Sequence, residues 1–463
     1  MNLMKKITLF LFTVFLSLNA SAQYRWFPVG DTLNASVRTI LTDSASSFYI
    51  GGTFTKVGTA NVSGIAHWTG TAWNQVAGSG TVGSVHALAH FDNGLVAAGT
   101  FSSIDSVICN NIAYYDGSSW TPLGNGLDYT GGITVSTLAV FENELYVGGT
   151  FITSNGDTLN NIAKWNGSGW EALGSGINGP VTSICEYHGQ IYAGGTFTSA
   201  GGEPVNNIAR WDGSNWSDVG GGAGYTGGVT VSTMQVYNNE LYIGGTFELV
   251  NGDSIANIAR WNDTVWNPLG QGMRYTGGIT VSTITFHEVD KRLIVSGKYI
   301  LSNNNNVAYM LQSWDGTNWS LLNSRSSQPV YAVADVSSTL FIGGAFRSIG
   351  TNQCVNYLAA WIYTPGKMHT LLTESQQPEQ RLFTLYPNPV SDKVYMKLLN
   401  ENEMSSDEFT FTLTDIIGRE VSSVTILGSD LKFERAGIPA GIYYYNLKNN
   451  SKGVFQKGKV VFN

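Results

Sequence analysis

The stretch Gln190-Ile-Tyr-Ala-Gly-Gly-Thr-Phe197, with Asn207-Ile-Ala-Arg-Trp211-Asp-Gly-Ser-Asn-Trp216 after it, decides the fold. The first segment is β-branched and aromatic and carries a glycine pair; the second alternates, then turns at Asp212-Gly213. With the apolar, alternating run 181–187 in front of them, these segments predict four short strands over 181–187, 190–197, 207–211 and 216–219. Asp-Gly is expected to make a two-residue hairpin in which both residues adopt positive φ. The glycine pair is expected where neighbouring strands come too close for a Cβ, or where a strand bulges.

The pattern repeats. Gly-Gly-Thr-Phe begins at Gly51, Gly148, Gly194 and Gly244, and variants begin at Ala98, Ser296 and Gly343, so seven copies lie 46 to 52 residues apart. An aromatic pair five residues apart keeps the same phase: Trp68/Trp73, Tyr115/Trp120, Trp165/Trp170, Trp211/Trp216, Trp261/Trp266 and Trp314/Trp319. Four strands per such period is the unit of a β-propeller blade. The expected fold is therefore all-β: a seven-bladed propeller over residues 23–363. Its two ends each carry half of an aromatic pair, Trp26 in RWFPVG and Trp361 in YLAAW. The N-terminal strand is thus expected to complete the last blade and remove both exposed edges.

Composition agrees with a turn-rich folded chain. Of 463 residues 55 are glycine, 43% are apolar and only 13% are charged. The net charge of −8 offers no basic stripe for phosphate neutralisation, which argues against a nucleic-acid partner. The one long apolar run, residues 7–18, follows Lys5-Lys6 and precedes Asn19-Ala-Ser-Ala22. It is too short to span a bilayer and reads as a secretory signal peptide cut after Ala22, so no transmembrane segment is expected. Three widely spaced cysteines, Cys109, Cys185 and Cys354, exclude a disulfide framework but leave room for one bridge. All 13 tryptophans precede residue 364; residues 364–382, with Pro365 and Pro378, read as a linker, and 383–463 as a separate β-sandwich.

The order of Trp, inner strand, Leu145-Tyr-Val-Gly-Gly149, loop and Ile-Ala-x-Trp-Asp/Asn-Gly-x-x-Trp is similar to kelch and galactose-oxidase-like propellers, although the kelch arginine of the inner strand is missing. That resemblance implies a scaffold used by enzymes and binding proteins alike. The tail resembles the type A C-terminal sorting domain of the Bacteroidetes type IX secretion system. It does so through LYPNPVSDKVYMKL (385–398, with Pro387, Asn388 and Pro389), LTDIIGREV (413–421, with Gly418), AGIPAGIYYYNL (436–447, with Gly441) and GKVVFN (458–463, with Lys459). The resemblance implies an Ig-like sandwich that is recognised by the secretion machinery after export to the periplasm, then delivery outside the cell or onto the outer-membrane surface, often with cleavage in the linker.

A catalytic constellation is not found: there is no nucleophile elbow, phosphate loop or H-E-x-x-H, and no match to the copper site of galactose oxidase. Ser313-Trp-Asp-Gly-Thr-Asn-Trp319 approaches a sialidase Asp-box but sets its Asp and Gly adjacent. His86 and His90 fall at positions held by Ser136/Val140, Thr182/Glu186 and Ser232/Val236 in other copies, which favours packing or channel lining over metal binding. No metal and no cofactor are expected.

One feature departs from the repeat: DYTGGITVSTL from Asp128, GYTGGVTVSTM from Gly224 and RYTGGITVSTI from Arg274 carry the same insertion before the inner strand. Tyr129, Tyr225, Tyr275 and Arg274 are the candidate ligand-binding residues, expected on the face that also carries the long loops after Gly-Gly. Asp31-Thr-Leu33, Asp157-Thr-Leu159 and Asp253-Ser-Ile255 resemble the O-glycosylation acceptor of Bacteroidetes. The expected function is a secreted or surface-attached binding module for a protein or glycan; the alternative is a carbohydrate-active or oxidative enzyme working on the same face.

Overall fold

The computed structural model describes residues 23–364 and 383–462, apart from 45, 77, 79, 129–133, 225–229, 271, 274–278, 302–305, 351–352, 387–392, 399–407, 416–419, 428–431, 436, 440 and 450–454. Among the described residues every element is a β-strand and none is a helix. The chain divides into two compact units, Trp26–Ile362 and a second holding Tyr363–Asn463.

The larger unit is a β-propeller. Its sheets follow one another along the chain, each an antiparallel set of an inner strand, a second strand with the glycine pair, a third strand and an outer strand. In the 181–218 sheet these are Val181–Tyr187, Gln190–Gly195, Ile208–Trp211 and Trp216–Asp218. The inner strand of each sheet packs on that of the next, and Val330–Val336, in the last sheet, packs on Val37–Thr42 in the first. In the sheet that holds Val330–Val336 the outermost position is taken by the N-terminal strand Gln23–Pro28, beside Leu358–Thr364. Trp26 and Trp361 meet edge to face at 4.7 Å, as the two halves of one aromatic pair.

Both roles expected of the glycine pair occur, one at each glycine. A Cβ on the first would come within 2.5 to 2.7 Å of a valine Cγ1 in the next sheet: Gly51 on Val85, Gly148 on Val181, Gly194 on Val231, Gly244 on Val281. A Cβ on the second would overlap a carbonyl of its own inner strand's entry, Ser36 for Gly52 and Pro180 for Gly195. The inner strand bulges two residues beyond that carbonyl, at Arg38 and at Thr182.

Successive sheets are stitched by the outer-strand tryptophans. Each indole N–H donates to a carbonyl just past the preceding outer strand: Trp120 to Val76 at 3.3 Å, Trp170 to Leu123 at 3.2 Å, Trp216 to Leu173 at 2.8 Å, Trp266 to Val219 at 3.0 Å and Trp319 to Leu269 at 3.0 Å. Trp73 makes the same bond to Val29 at 3.3 Å, so the N-terminal strand behaves as an outer strand. The next residue along, Gly30, has φ +59° and lies under Trp68 and Trp73, as Gly220 with φ +55° lies under Trp261 and Trp266.

One expectation is corrected. The Trp-to-Trp hairpins are four-residue loops, since Trp211 pairs with Trp216 and Trp165 with Trp170. Only the second loop residue takes positive φ there, a glycine in most copies and Asp263 between Trp261 and Trp266; the residue before it accepts N–H groups further along the loop, as Asp116 does from Ser118 and Ser119 at 2.7 and 2.8 Å. These N–H groups hold the Asp116 carboxyl at about 2, Ser119 contributing most. Two-residue turns with both residues at positive φ join the inner and second strands instead, as at Asn238-Asn239. The sequence left open whether a cysteine pair bridges; Cys109 and Cys185 are both free thiols.

Among the described residues of the second unit, seven strands form two antiparallel sheets, Phe383–Tyr386, Lys393–Leu398 and Lys432–Glu434 in one and Glu408–Thr414, Glu420–Leu427, Gly441–Asn449 and Phe455–Phe462 in the other. Val394 and Phe433 from the first sheet share a core with Phe411, Tyr445 and Phe462 from the second. Of the expected linker 364–382, Thr364 ends the strand Leu358–Thr364 and residues 365–382 lie outside the described residues, as does the signal peptide through Ala22.

Candidate functional site

Each inner strand carries a valine at the same point, and Val37, Val85, Val135, Val181, Val231, Val281 and Val330 are all buried. After each one the pairing slips and one residue is left over: Arg38, His86, Ser136, Thr182, Ser232, Ser282 and Tyr331. Because the inner strands follow one another in a ring, these bulged residues form a collar around its axis, at the end where the inner strands begin. Four of the seven are serine or threonine. The other three are neighbours, since their sheets are adjacent across the closure.

Arg38 lies over the Tyr331 ring, with its guanidinium carbon 5.2 Å from the centroid. Its Nε is buried and has no hydrogen-bond partner. His86 is held far below the ordinary histidine value, at about 4, first by burial and then by the charge of Arg38. Threonines of the Gly-Gly-Thr segments lie at the same end: Thr100 and Thr134 hydroxyls are 3.2 Å apart, Thr196 and Thr230 2.7 Å, and Ser36 and Thr53 2.9 Å. The collar and these hydroxyls make a polar mouth in which Arg38 is the cation on an inner strand, while an exposed Lys298 takes the threonine's place in one copy of the Gly-Gly-Thr segment.

The other propeller histidines belong to the opposite end. His67 Nε2 is 3.2 Å from Asp43 and the ring stacks on Tyr49; His90 Nε2 donates to the Thr42 carbonyl at 3.0 Å. His188 sits between Asp263 and Asn239 at 2.6 and 2.7 Å, and His287 Nδ1 is 3.0 Å from Asp335. His86 and His90 therefore do not act together: the bulge at His86 breaks the alternation that would have put them on one side. Among the described residues no three His, Cys, Asp or Glu side chains are grouped to hold a metal.

The candidate residues Tyr129, Tyr225, Arg274 and Tyr275 lie outside the described residues. Their flanks are described. The Asp128 amide donates to the Thr153 carbonyl at 2.7 Å, the Thr150 amide donates to the Thr134 carbonyl at 2.9 Å, and Gly224 pairs with Leu249, all contacts with the loop after Gly-Gly. In the tail, Pro387, Asn388, Pro389 and Gly418 are likewise outside the described residues, while Gly441 pairs with Phe462 and Lys459 with Tyr444. Asp157 and Thr158 are exposed on a small hairpin with Leu159 buried behind them, and Asp31 and Thr32 are exposed beside buried Leu33.

A device the repeat carries in plain view was not singled out from sequence. Asn111, Asn161, Asn207 and Asn257, just before the third strand, take positive φ and donate side-chain N–H to the carbonyls of Leu127, Ile177, Ala223 and Met273. Asparagine tolerates that backbone conformation and supplies the donor that ties each post-glycine loop to the next connection. The Asn before Ile-Ala in successive copies was the available signal.

Residues 384–462 match the family model of the secretion system C-terminal sorting domain, and residues 74–237 match that of the Rax2 C-terminal beta propeller domain. No curated protein matches the sequence. Among solved structures, similarity extends to the extracellular domain of a hybrid two component system from B. thetaiotaomicron, at 11% identity and TM-score 0.44, over 96% of this chain and 58% of that one. It extends to PorZ, a surface component of the type-IX secretion system of Porphyromonas gingivalis, at 14% identity and TM-score 0.28, over 92% and 51%. The Dos1 propeller is similar at 9% identity and TM-score 0.40, over 73% and 94%. The chain thus spans about 58% of the length of the first of these structures. No described helix is long and apolar enough to cross a membrane. The sorting tail points to a secreted or cell-surface protein.

Proposed function

We propose that the chain is an exported binding module: a leader cut after Ala22, a closed seven-bladed, kelch-like propeller over 23–363, a linker over 364–382 and an Ig-like sorting domain over 383–463. The observation that carries this reading is the match of residues 384–462 to the sorting domain behind a propeller. A sorting tail commits the propeller to work outside the cell, where a rigid ring with polar loops and a polar mouth on one end suits recognition of an extracellular protein or glycan. Tyr129, Tyr225, Arg274 and Tyr275 are the loop residues proposed to contact that partner, as repeated weak sites that gain from clustering.

Two measurements test this. Ending the chain at Thr364 in a host with type IX secretion should leave a folded propeller in the periplasm; normal surface delivery of that truncation refutes the sorting role. The mature protein should bind members of a glycan or extracellular-protein array, and replacement of the three tyrosines by alanine should remove binding at unchanged melting temperature. Loss of stability with binding intact would make them packing residues.

A further inference from the structure

We propose that the collar around Arg38 is a binding site for the carboxylate of an acidic sugar. The site rests on the reading of the propeller as a binding module, and it does not depend on the loop tyrosines.

The bulge itself does not call for an arginine, because the same position is filled by serine or threonine in four other sheets. Nor is it placed to neutralise an acid of this chain: among the described residues no carboxylate forms an ion pair with it, and its buried Nε lacks any partner. A desolvated guanidinium edge without an acceptor is costly, and the group that suits its planar fork is a carboxylate. In a chain with 33 acidic and 25 basic residues, a cation left unpaired on an inner strand stands out.

The surroundings narrow the ligand. Tyr331 lies beneath Arg38 and presents a flat ring with a hydroxyl. His86, on the other side, stays neutral near pH 7, so it both donates and accepts without adding a second charge. Ser36 and Thr53 set hydroxyls at the same end. One carboxylate on a ring that has an apolar face and several hydroxyls uses all of these groups; a bare carboxylate, such as a peptide terminus, uses only Arg38.

The test is calorimetric titration of the mature protein with D-glucuronate, D-glucose and acetate. Saturable glucuronate binding is expected, with glucose and acetate each weaker by roughly tenfold or more. Arg38→Gln should weaken glucuronate by roughly tenfold or more at unchanged melting temperature, and Arg38→Lys should fall between. No glucuronate binding, acetate binding as tight as glucuronate, or glucuronate binding indifferent to Arg38→Gln would each overturn the proposal. If Arg38→Gln does not fold, the His86 ring resonances of the unaltered protein decide: they must shift on addition of glucuronate, and their constancy overturns the site. Array binding without glucuronate binding rejects this site alone; its failure to bind any array member while glucuronate binds rejects the loop face alone.

Discussion

Gly343, in the last sheet of the propeller, lies directly against Val37 in the first, so that a Cβ on Gly343 would stand 2.5 Å from Val37 Cγ1. It is the contact that Gly148 makes with Val181 and Gly244 with Val281, repeated across the join between the two ends of the chain. The joint is thus packed like any other, so that the first and last sheets cover each other as neighbouring sheets do elsewhere in the ring.

Gly343→Ala should destabilise the propeller by about 1–3 kcal/mol, the usual cost of overfilling a packed interface, because the Val37 side chain has to give way. Gly344→Ala should cost more, since its Cβ meets the Pro329 carbonyl and backbone cannot rotate aside. Urea unfolding of the two variants checks the order; equal costs would mean that the bulge relaxes as easily as a valine.

Deleting residues 23–30 should lower the melting temperature and the cooperativity of unfolding. It removes the outer strand beside Leu358–Thr364, the Trp26 face on Trp361 and the carbonyl that Trp73 bonds. An unchanged melting curve together with unchanged solubility would contradict closure.

Trp216→Phe should cost about 1–3 kcal/mol or more beyond any loss of packing, by leaving the Leu173 carbonyl without its buried donor. Trp170→Phe, whose bond to Leu123 is longer and partly exposed, should cost less. Comparison of denaturation midpoints at equal slope measures the difference.

His86 gives an acid dependence of defined sign. Its folded value is about 4 against an ordinary 6.5, so between those values the unfolded chain binds the extra proton. The neutral ring's contribution is therefore complete above pH 6.5, declines as pH falls and is gone below about 4, a change of about 3 kcal/mol. His86→Gln should flatten that part of the stability profile; an unaltered profile would assign the acid sensitivity to other groups.

How much was legible follows from which interactions are local. The four-strand unit, its seven copies, the aromatic pair and the split pair Trp26/Trp361 are written in residue order, because strand alternation and a repeated period need only neighbours in sequence. The sorting tail was legible for the same reason, as short motifs in fixed order. Turn type was read less well: Asp-Gly and Asn-Gly hairpins looked like two-residue turns, yet tryptophan pairing set four-residue loops that the side chain of the first residue closes. The repeated valine and asparagine stood in the sequence, but their meaning depends on which sheet lies next. Arg38, His86 and Tyr331 come from both ends of the repeat array, and only closure of the ring sets them side by side. Residue order determined the blades; the bulge register and the meeting of first and last sheets, which rest on hydrogen bonds and packing between distant residues, decided which side chains share the mouth of the ring.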